Sequence, residues 1–148
     1  MPTPNLFVCW NFVAERCSAP CLELCGRTLL STGYDGTIGV WVLGTWSHLR
    51  TMRVSEHVTD ARFCNCLAVS GSMLLCGGMC MDESGFVLVL DADTFACQHT
   101  LRLDHTVEEL LSVRGEVWGR LGEENGSVVV WGKAEQREGS GMSEAGRA

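Results

Sequence analysis

The sequence predicts an all-β protein made of repeated antiparallel sheets, and three observations support this fold class. Seventeen glycines against three prolines, with 46% hydrophobic residues in a chain of 148, are typical of a turn-rich protein with one ordinary core. Short apolar runs alternate with glycine turns, and no stretch has the pattern of a long helix. One unit of this kind occurs three times along the chain, which predicts a stacked architecture.

The first copy of the unit, residues 19–43, shows its organisation most clearly. Two apolar runs flank a turn led by Gly26, and a third run follows an Asp-Gly turn, which predicts three consecutive antiparallel strands. The same pattern begins again around Gly71 and Gly115. These glycines are 45 and 44 residues apart. The intervals match the period of about 40–45 residues in the four-stranded blades of a β-propeller.

The repeats divide the chain into five segments. Residues 1–18 are an N-terminal strand and linker, 19–54 are repeat 1, 55–104 are repeat 2, and 105–132 are a partial repeat 3. The last segment, 133–148, is rich in Gly, Ser, Glu and Ala and cannot offset its ordering entropy by burial, so we expect a disordered tail.

Each repeat is predicted to form one blade of an incomplete β-propeller. Repeats 1 and 2 supply four strands each, and polar residues on the outer strand discourage pairing with other chains. Repeat 3 lacks its outer strand, because nothing after Gly132 resembles one. The predicted strands are 21–24, 29–32, 37–42 and 46–54, then 62–69, 73–77, 86–90 and 95–103, then 109–113, 116–121 and 127–131.

Charge and cysteine content limit the classes of partner. A net charge of −7 argues against a nucleic-acid binder, which needs a basic face to displace counterions from phosphates. The apolar run 6–13 is broken by Asn11 and is too short to span a membrane. Nine cysteines without a secretion signal are typical of reduced thiols. We therefore expect a cytoplasmic protein, with the nucleus as the alternative, that has protein partners.

One stretch carries a resemblance to a known family. Residues 33–41 resemble the Asp-Gly-Thr-Ile-x-Val-Trp signature of the Trp-Asp (WD) repeat β-propeller family, and 125–131 are similar. A histidine also lies at the entry to repeat 2 and to repeat 3, which resembles the Gly-His entry of the family. The match covers about 19–132. The Trp-Asp pair itself is split, since Val follows the first tryptophan. The residues that carry the signature are Asp35, Gly36, Trp41, His57, Asp91, His105, Gly126 and Trp131.

The resemblance also implies a blade count. A propeller ring needs at least about four blades, and this sequence supplies three. A fragment or short isoform of a larger propeller protein would account for the difference. Pairing with a second copy or another chain, and an unstable product, are the alternatives. The unpaired strand predicted at 6–13 and the strand missing after Trp131 indicate self-association or completion by further blades.

Cysteines provide the main alternative function, a zinc site or a thiol nucleophile. Many of them fall at apolar strand positions, where a thiol acts as a small hydrophobe, and no motif of a known catalytic site occurs. We therefore expect no enzyme activity, no cofactor and no metal. The closely spaced cysteines are Cys17, Cys21 and Cys25, Cys64 with Cys66, and Cys76 with Cys80.

The family resemblance implies a non-catalytic protein–protein interaction scaffold within a larger regulatory or signalling assembly. The alternative is a cysteine-rich zinc-binding protein or a thiol-dependent enzyme. The turn 78–85 of repeat 2 is predicted to be a long contact loop, because binding residues usually lie on loops held by rigid strands. Candidate partner contacts are Trp46, Trp118, Met79, Met81, Asp82 and Glu83. Acidic turns at 82–83 and 123–124 are most simply ordinary solvated turns, and the alternative is an acidic rim that favours a basic peptide.

Overall fold

The computed structural model describes residues 21–33, 35–122 and 126–132, and in these ranges it is built almost entirely of antiparallel strands. The predicted N-terminal strand at 6–13 and the C-terminal tail lie outside the described residues. Within the described ranges, no helix has the length and apolar character needed to cross a bilayer.

Within the described residues, three antiparallel sheets follow one another along the chain, and each corresponds to one sequence repeat. We call them blade 1, blade 2 and blade 3. Blade 1 contains β1 (Leu22–Cys25), β2 (Thr28–Thr32), β3 (Thr37–Val42) and β4 (His48–Arg53). Blade 2 contains β5 (Ala61–Ser70), β6 (Met73–Cys80), β7 (Gly85–Asp91) and β8 (Cys97–Leu103). Blade 3 contains β9 (Val107–Val113), β10 (Glu116–Leu121) and β11 (Val128–Trp131). The predicted incomplete propeller of four-stranded blades is confirmed.

Blade 2 lies between the other two blades because both of its faces are apolar. Leu88 and Leu90 of β7 point into a cluster shared with blade 1, and the alternate residues Val87 and Val89 point into a cluster shared with blade 3. This near-continuous apolar run is typical of a strand that is buried on both sides. We call these clusters the first core and the second core.

Glycines in blade 2 let neighbouring blades approach closely. A Cβ atom on Gly77 would lie 2.7 Å from Cγ1 of Val107, so the bare glycine leaves the space that this blade 3 side chain fills. The amide of Asn65 donates to the carbonyl of Val107 at 3.1 Å and joins the same two blades. Packing and hydrogen bonding therefore fix blade 3 against blade 2 at one point.

The predicted long loop at 78–85 is wrong, because β6 continues to Cys80 and only 81–84 form the turn. Gly78 and Gly85 resemble turn residues in the sequence, but they lie in strands where other backbone segments pass close by. A Cβ atom would lie 1.9 Å from the carbonyl oxygen of Phe63 at Gly78, and 1.9 Å from that of His105 at Gly85. The turn is as short as its counterpart in blade 1.

The glycines that mark the repeats are not equivalent in all three turns. Gly26 and Gly71 each occupy the first turn position in the left-handed conformation, with φ of 59°. In blade 3 the first position is Arg114, with φ of 51°, and Gly115 follows it. The third repeat is therefore offset by one residue from the glycine alignment.

Candidate functional site

The predicted signature residues of blade 1 form part of a hydrogen-bonded set. The indole Nε1 of Trp41 donates to the Ser31 hydroxyl at 3.0 Å, and the ring of Trp41 lies against that of His48 with centroids 4.9 Å apart. A Cβ atom on Gly39 would lie 2.9 Å from this hydroxyl oxygen, so glycine leaves room for the bond. Trp41 is half-buried on the face of blade 1 opposite to blade 2.

The signature Asp and Gly residues stabilise turns. Asp35 accepts hydrogen bonds from the amide and hydroxyl of Thr37 at 3.1 and 2.6 Å. Asp91 accepts from the backbone of Thr94 and Asp93 at 2.9 Å each, and these bonds lower the pKa of its carboxyl. Left-handed backbone is adopted by Gly36 and Gly126.

The two predicted signature histidines lie in the connections between blades. His57 is exposed after the short 3-10 helix Val54–Glu56, and its amide donates to the carbonyl of Val54 at 3.0 Å. The backbone of His105 passes β7 at Gly85. Trp131 packs partly buried against the second core, where Gly119 leaves space for its ring.

Six of the seven described cysteines line the cores, Cys97 being exposed, and strand alternation separates the closely spaced pair on β5. Cys64 points into the first core, whereas Cys66 points into the second. The hydrogen bond that the Cys64 thiol donates to Cys76, together with burial, raises the pKa of Cys64 well above its usual range, and burial raises that of Cys66. Thiols with raised pKa values are poor nucleophiles and poor metal ligands. Cys17 lies outside the described residues.

Thiol labelling provides a direct check on this arrangement. In native protein at about pH 8, close to the ordinary thiol pKa, we expect iodoacetamide to modify the exposed Cys97 and to leave Cys64 and Cys66 unmodified, as mass spectrometry of the peptides would show. Unfolding in guanidinium chloride should make all three react. Native labelling of Cys66 as fast as that of Cys97 would contradict the burial of this thiol.

One group of described side chains has the composition of a metal site. Asp60, Cys80 and Asp82 bring their ligand atoms within 4.8 Å of one another. The guanidinium of Arg102 already donates to both oxygens of Asp60, at 2.7 and 2.8 Å, and lowers the pKa of that carboxyl. The positive charge of Arg102 therefore already balances the negative charge of Asp60 in this group. Sequence reasoning missed this pair, since its partners are 42 residues apart and have no local signal.

The structure separates the predicted partner contacts into different regions. Trp46 lies in the turn between β3 and β4, whereas Met81, Asp82 and Glu83 lie in the turn between β6 and β7, at the opposite ends of their strands. Trp118 lies within β10. Met79 is a partly buried strand residue rather than part of a loop.

The turn between β6 and β7 belongs to a well-fixed surface. The Met81 amide donates to the Asp60 carbonyl at 2.8 Å, and the Thr106 hydroxyl donates to the Glu83 carbonyl at 3.3 Å. The Ser84 amide and hydroxyl donate to the Asp82 carboxylate and lower its pKa. We call Asp60, Met81, Asp82, Glu83 and Arg102 the loop surface.

Met81 is the apolar centre of the loop surface. Its side chain is 65% exposed although its backbone is fixed to the preceding connection. Asp82 and Glu83 follow Met81 in the turn, and Asp60, whose carbonyl accepts from the Met81 amide, is paired with Arg102. An exposed apolar side chain on a pre-organised backbone, within a polar rim, has the anatomy of a small protein-binding site.

The described blades have the fold of a partial β-propeller, and solved WD40-repeat propellers share it. The crystal structure of the RRP9 WD40 repeats is similar with a TM-score of 0.69 and 20% identity, over 90% of this chain and 39% of that one. The structure of U3-55K gives 0.68 and 19%, over 90% and 40%. The predicted resemblance to WD-repeat propellers is thereby confirmed for the fold.

A third solved structure is the Cps50 (Swd1) β-propeller domain of Myceliophteria thermophila. It matches with a TM-score of 0.59 and 20% identity, over 88% of this chain and 38% of that one. The chain therefore spans about two fifths of the length of these three structures. No family model and no curated protein matches the sequence.

Proposed function

We propose that this protein is a non-catalytic protein-interaction scaffold that binds its partner through the loop surface. The observation that carries the proposal is the exposure of Met81 on a turn fixed by hydrogen bonds to two interblade connections. Binding to a pre-formed surface avoids the entropic cost of ordering a loop. The cytoplasm, where thiols stay reduced, suits its nine cysteines and is the compartment we propose.

The chemistry of the loop surface defines the kind of partner. Methionine is flexible and polarizable, so it adapts to an apolar pocket. Asp60, Asp82 and Glu83 exceed Arg102 in charge, so a partner with basic residues around that pocket is complementary. Buried thiols with raised pKa values support a scaffold over the alternative of a thiol-dependent enzyme.

Site-specific crosslinking tests the proposal. Photo-reactive methionine at position 81 should capture the partner, which is then purified and titrated against the protein. We expect Met81→Asp to weaken binding at least about tenfold, since loss of a central anchor costs about 2 kcal/mol or more and about 1.4 kcal/mol corresponds to tenfold. Leu111→Glu is the matched control, because Leu111 is equally exposed on blade 3, and it should bind like the wild type.

Two results would count against the loop surface. The first is a purified partner that binds the Met81→Asp variant and the wild type with equal affinity. The second is crosslinking that occurs from other positions of the chain but never from position 81.

A further inference from the structure

The three blades contain equivalent strand positions. In blade 2, which has a blade on each side, the exposure of a side chain shows whether a neighbouring blade covers that position. Leu22 of β1 and Leu67 of β5 both lie three residues before the end of their strands, and their partners in the next strand are Ser31 and Cys76. Leu67 is 2% exposed because it packs against blade 1, whereas Leu22 is 60% exposed. We call the face of blade 1 that carries Leu22 end face 1.

Blade 3 shows the same contrast on its opposite side. Leu111 of β9 and Ala68 of β5 both lie two residues before the end of their strands, and their partners in the next strand are Trp118 and Leu75. Ala68 and Leu75 are 2% and 4% exposed, because blade 3 covers them, whereas Leu111 and Trp118 are 62% and 37% exposed. We call the face with Leu111 and Trp118 end face 3.

Each blade has two sides, and neighbouring blades are joined by opposite sides, once between blades 1 and 2 and once between blades 2 and 3. End face 1 is equivalent by repeat position to the side of blade 2 that packs against blade 1. End face 3 is equivalent to the side of blade 1 that packs against blade 2. By position in the repeat, end face 3 is therefore the counterpart of the side of a blade that meets a surface like end face 1. Within one copy the two lie on opposite sides of the described blades.

Charge favours the same pairing. Blade 1, residues 21–53, carries three arginines and two acidic residues, so it is slightly basic. The described part of blade 3, 104–122 and 126–132, carries two arginines and four acidic residues. Opposite net charges on the two terminal blades favour contact between blade 1 of one copy and blade 3 of another, and they oppose contact between two copies of the same blade.

We propose that two copies of this chain associate head to tail, with end face 3 of each copy packed against end face 1 of the other. Two copies supply six of the described blades, which falls within the range of about four to eight that closed propellers use. A heterologous contact of this kind ends in a ring when the rotation closes and in a filament when it does not. Closure covers all four end faces and accounts for their apolar residues.

Sedimentation of the full chain tests the proposal. Wild-type protein should sediment as a discrete dimer, with a mass twice that of the chain. Leu22→Glu blocks end face 1, Leu111→Glu blocks end face 3, and each variant should sediment as a monomer, at half the wild-type mass. Met81→Glu, an equally exposed position on the loop surface, is the control and should remain dimeric. Unchanged circular dichroism establishes that the variants fold.

Mixing the two blocked variants separates a head-to-tail contact from a symmetric one. Each variant keeps the face that the other has lost, so the mixture should form a heterodimer through one intact contact. A face that paired with its own copy would not be restored in this way. Restored dimer mass on mixing supports the proposal, and monomers in the mixture overturn it.

Other outcomes also decide the matter. A wild-type monomer at every concentration overturns the proposal, as does a mass that grows with concentration without a plateau, which indicates an open filament. The loop surface is tested separately, because Met81 variants should lose the partner and keep the dimer. The Leu111→Glu variant should keep the partner and lose the dimer. The two proposals can therefore fail independently of each other.

Discussion

Gly85→Ala is expected to lower the free energy of unfolding by more than about 4 kcal/mol and the Tm by more than about 15 °C. The new methyl carbon would lie 1.9 Å from the carbonyl oxygen of His105 and 2.8 Å from its carbon. Both atoms belong to the backbone that connects blades 2 and 3, so no side-chain rotation can relieve the overlap. The strand or the connection must move, at the expense of packing on both sides.

Thermal and urea unfolding, followed by circular dichroism, measure this effect. Gly132→Ala is the matched control, since its added methyl would meet only Cγ of Glu116 at 4.0 Å and its φ lies outside the left-handed region. The control should stay within about 0.5 kcal/mol of the wild type. Equal stabilities of the Gly85→Ala and Gly132→Ala variants would contradict the close approach at β7.

Phe86→Ala is expected to cost about 3–5 kcal/mol of stability, the usual range for truncating a fully buried aromatic side chain. Phe86 has no exposed surface and lies in the first core between blades 1 and 2. Its ring edge passes Gly78 at a distance that leaves no room for a Cβ there, so the ring fills the space between these strands. Truncation to alanine empties this space, and the cavity adds to the lost transfer energy.

A graded series separates cavity formation from general loss of structure. Phe86→Leu retains most of the volume and should cost clearly less than Phe86→Ala in urea unfolding, with an unchanged m-value. Leu49→Ala, on the exposed outer strand of blade 1, should have almost no effect. A cost below about 1 kcal/mol for Phe86→Ala would show that the first core is not packed as described.

Local patterns in the sequence are sufficient to predict the strands and turns of the blades. Short apolar runs and glycine turns predict strands within a few residues of their observed ends, because a hairpin is specified by residues close together in the chain. The Asp35-Gly36 turn and the position of Trp41 belong to this class. The repeat then extends the pattern to blades 2 and 3, even where the signature tryptophan is replaced by Leu90.

Features set by distant segments could not be predicted in this way. The sequence predicts Gly78 and Gly85 in a loop because glycine usually marks a turn, whereas in the structure they lie in strands and leave space for the backbone of Phe63 and His105. Arg102 finds Asp60 across 42 residues, and only the fold brings them together. The loop surface was predicted in part, since its acidic turn was recognised but the groups that fix it were not.

Because blade 2 lies between the other two blades, the blades of a single copy should unfold in a definite order. In an array where each unit contacts only its neighbours, stability is the sum of unit energies and junction energies, and a terminal unit has one junction where an internal unit has two. Blades 1 and 3 should therefore detach in sub-global fluctuations, while the β5 and β7 backbone becomes accessible only when the whole array melts.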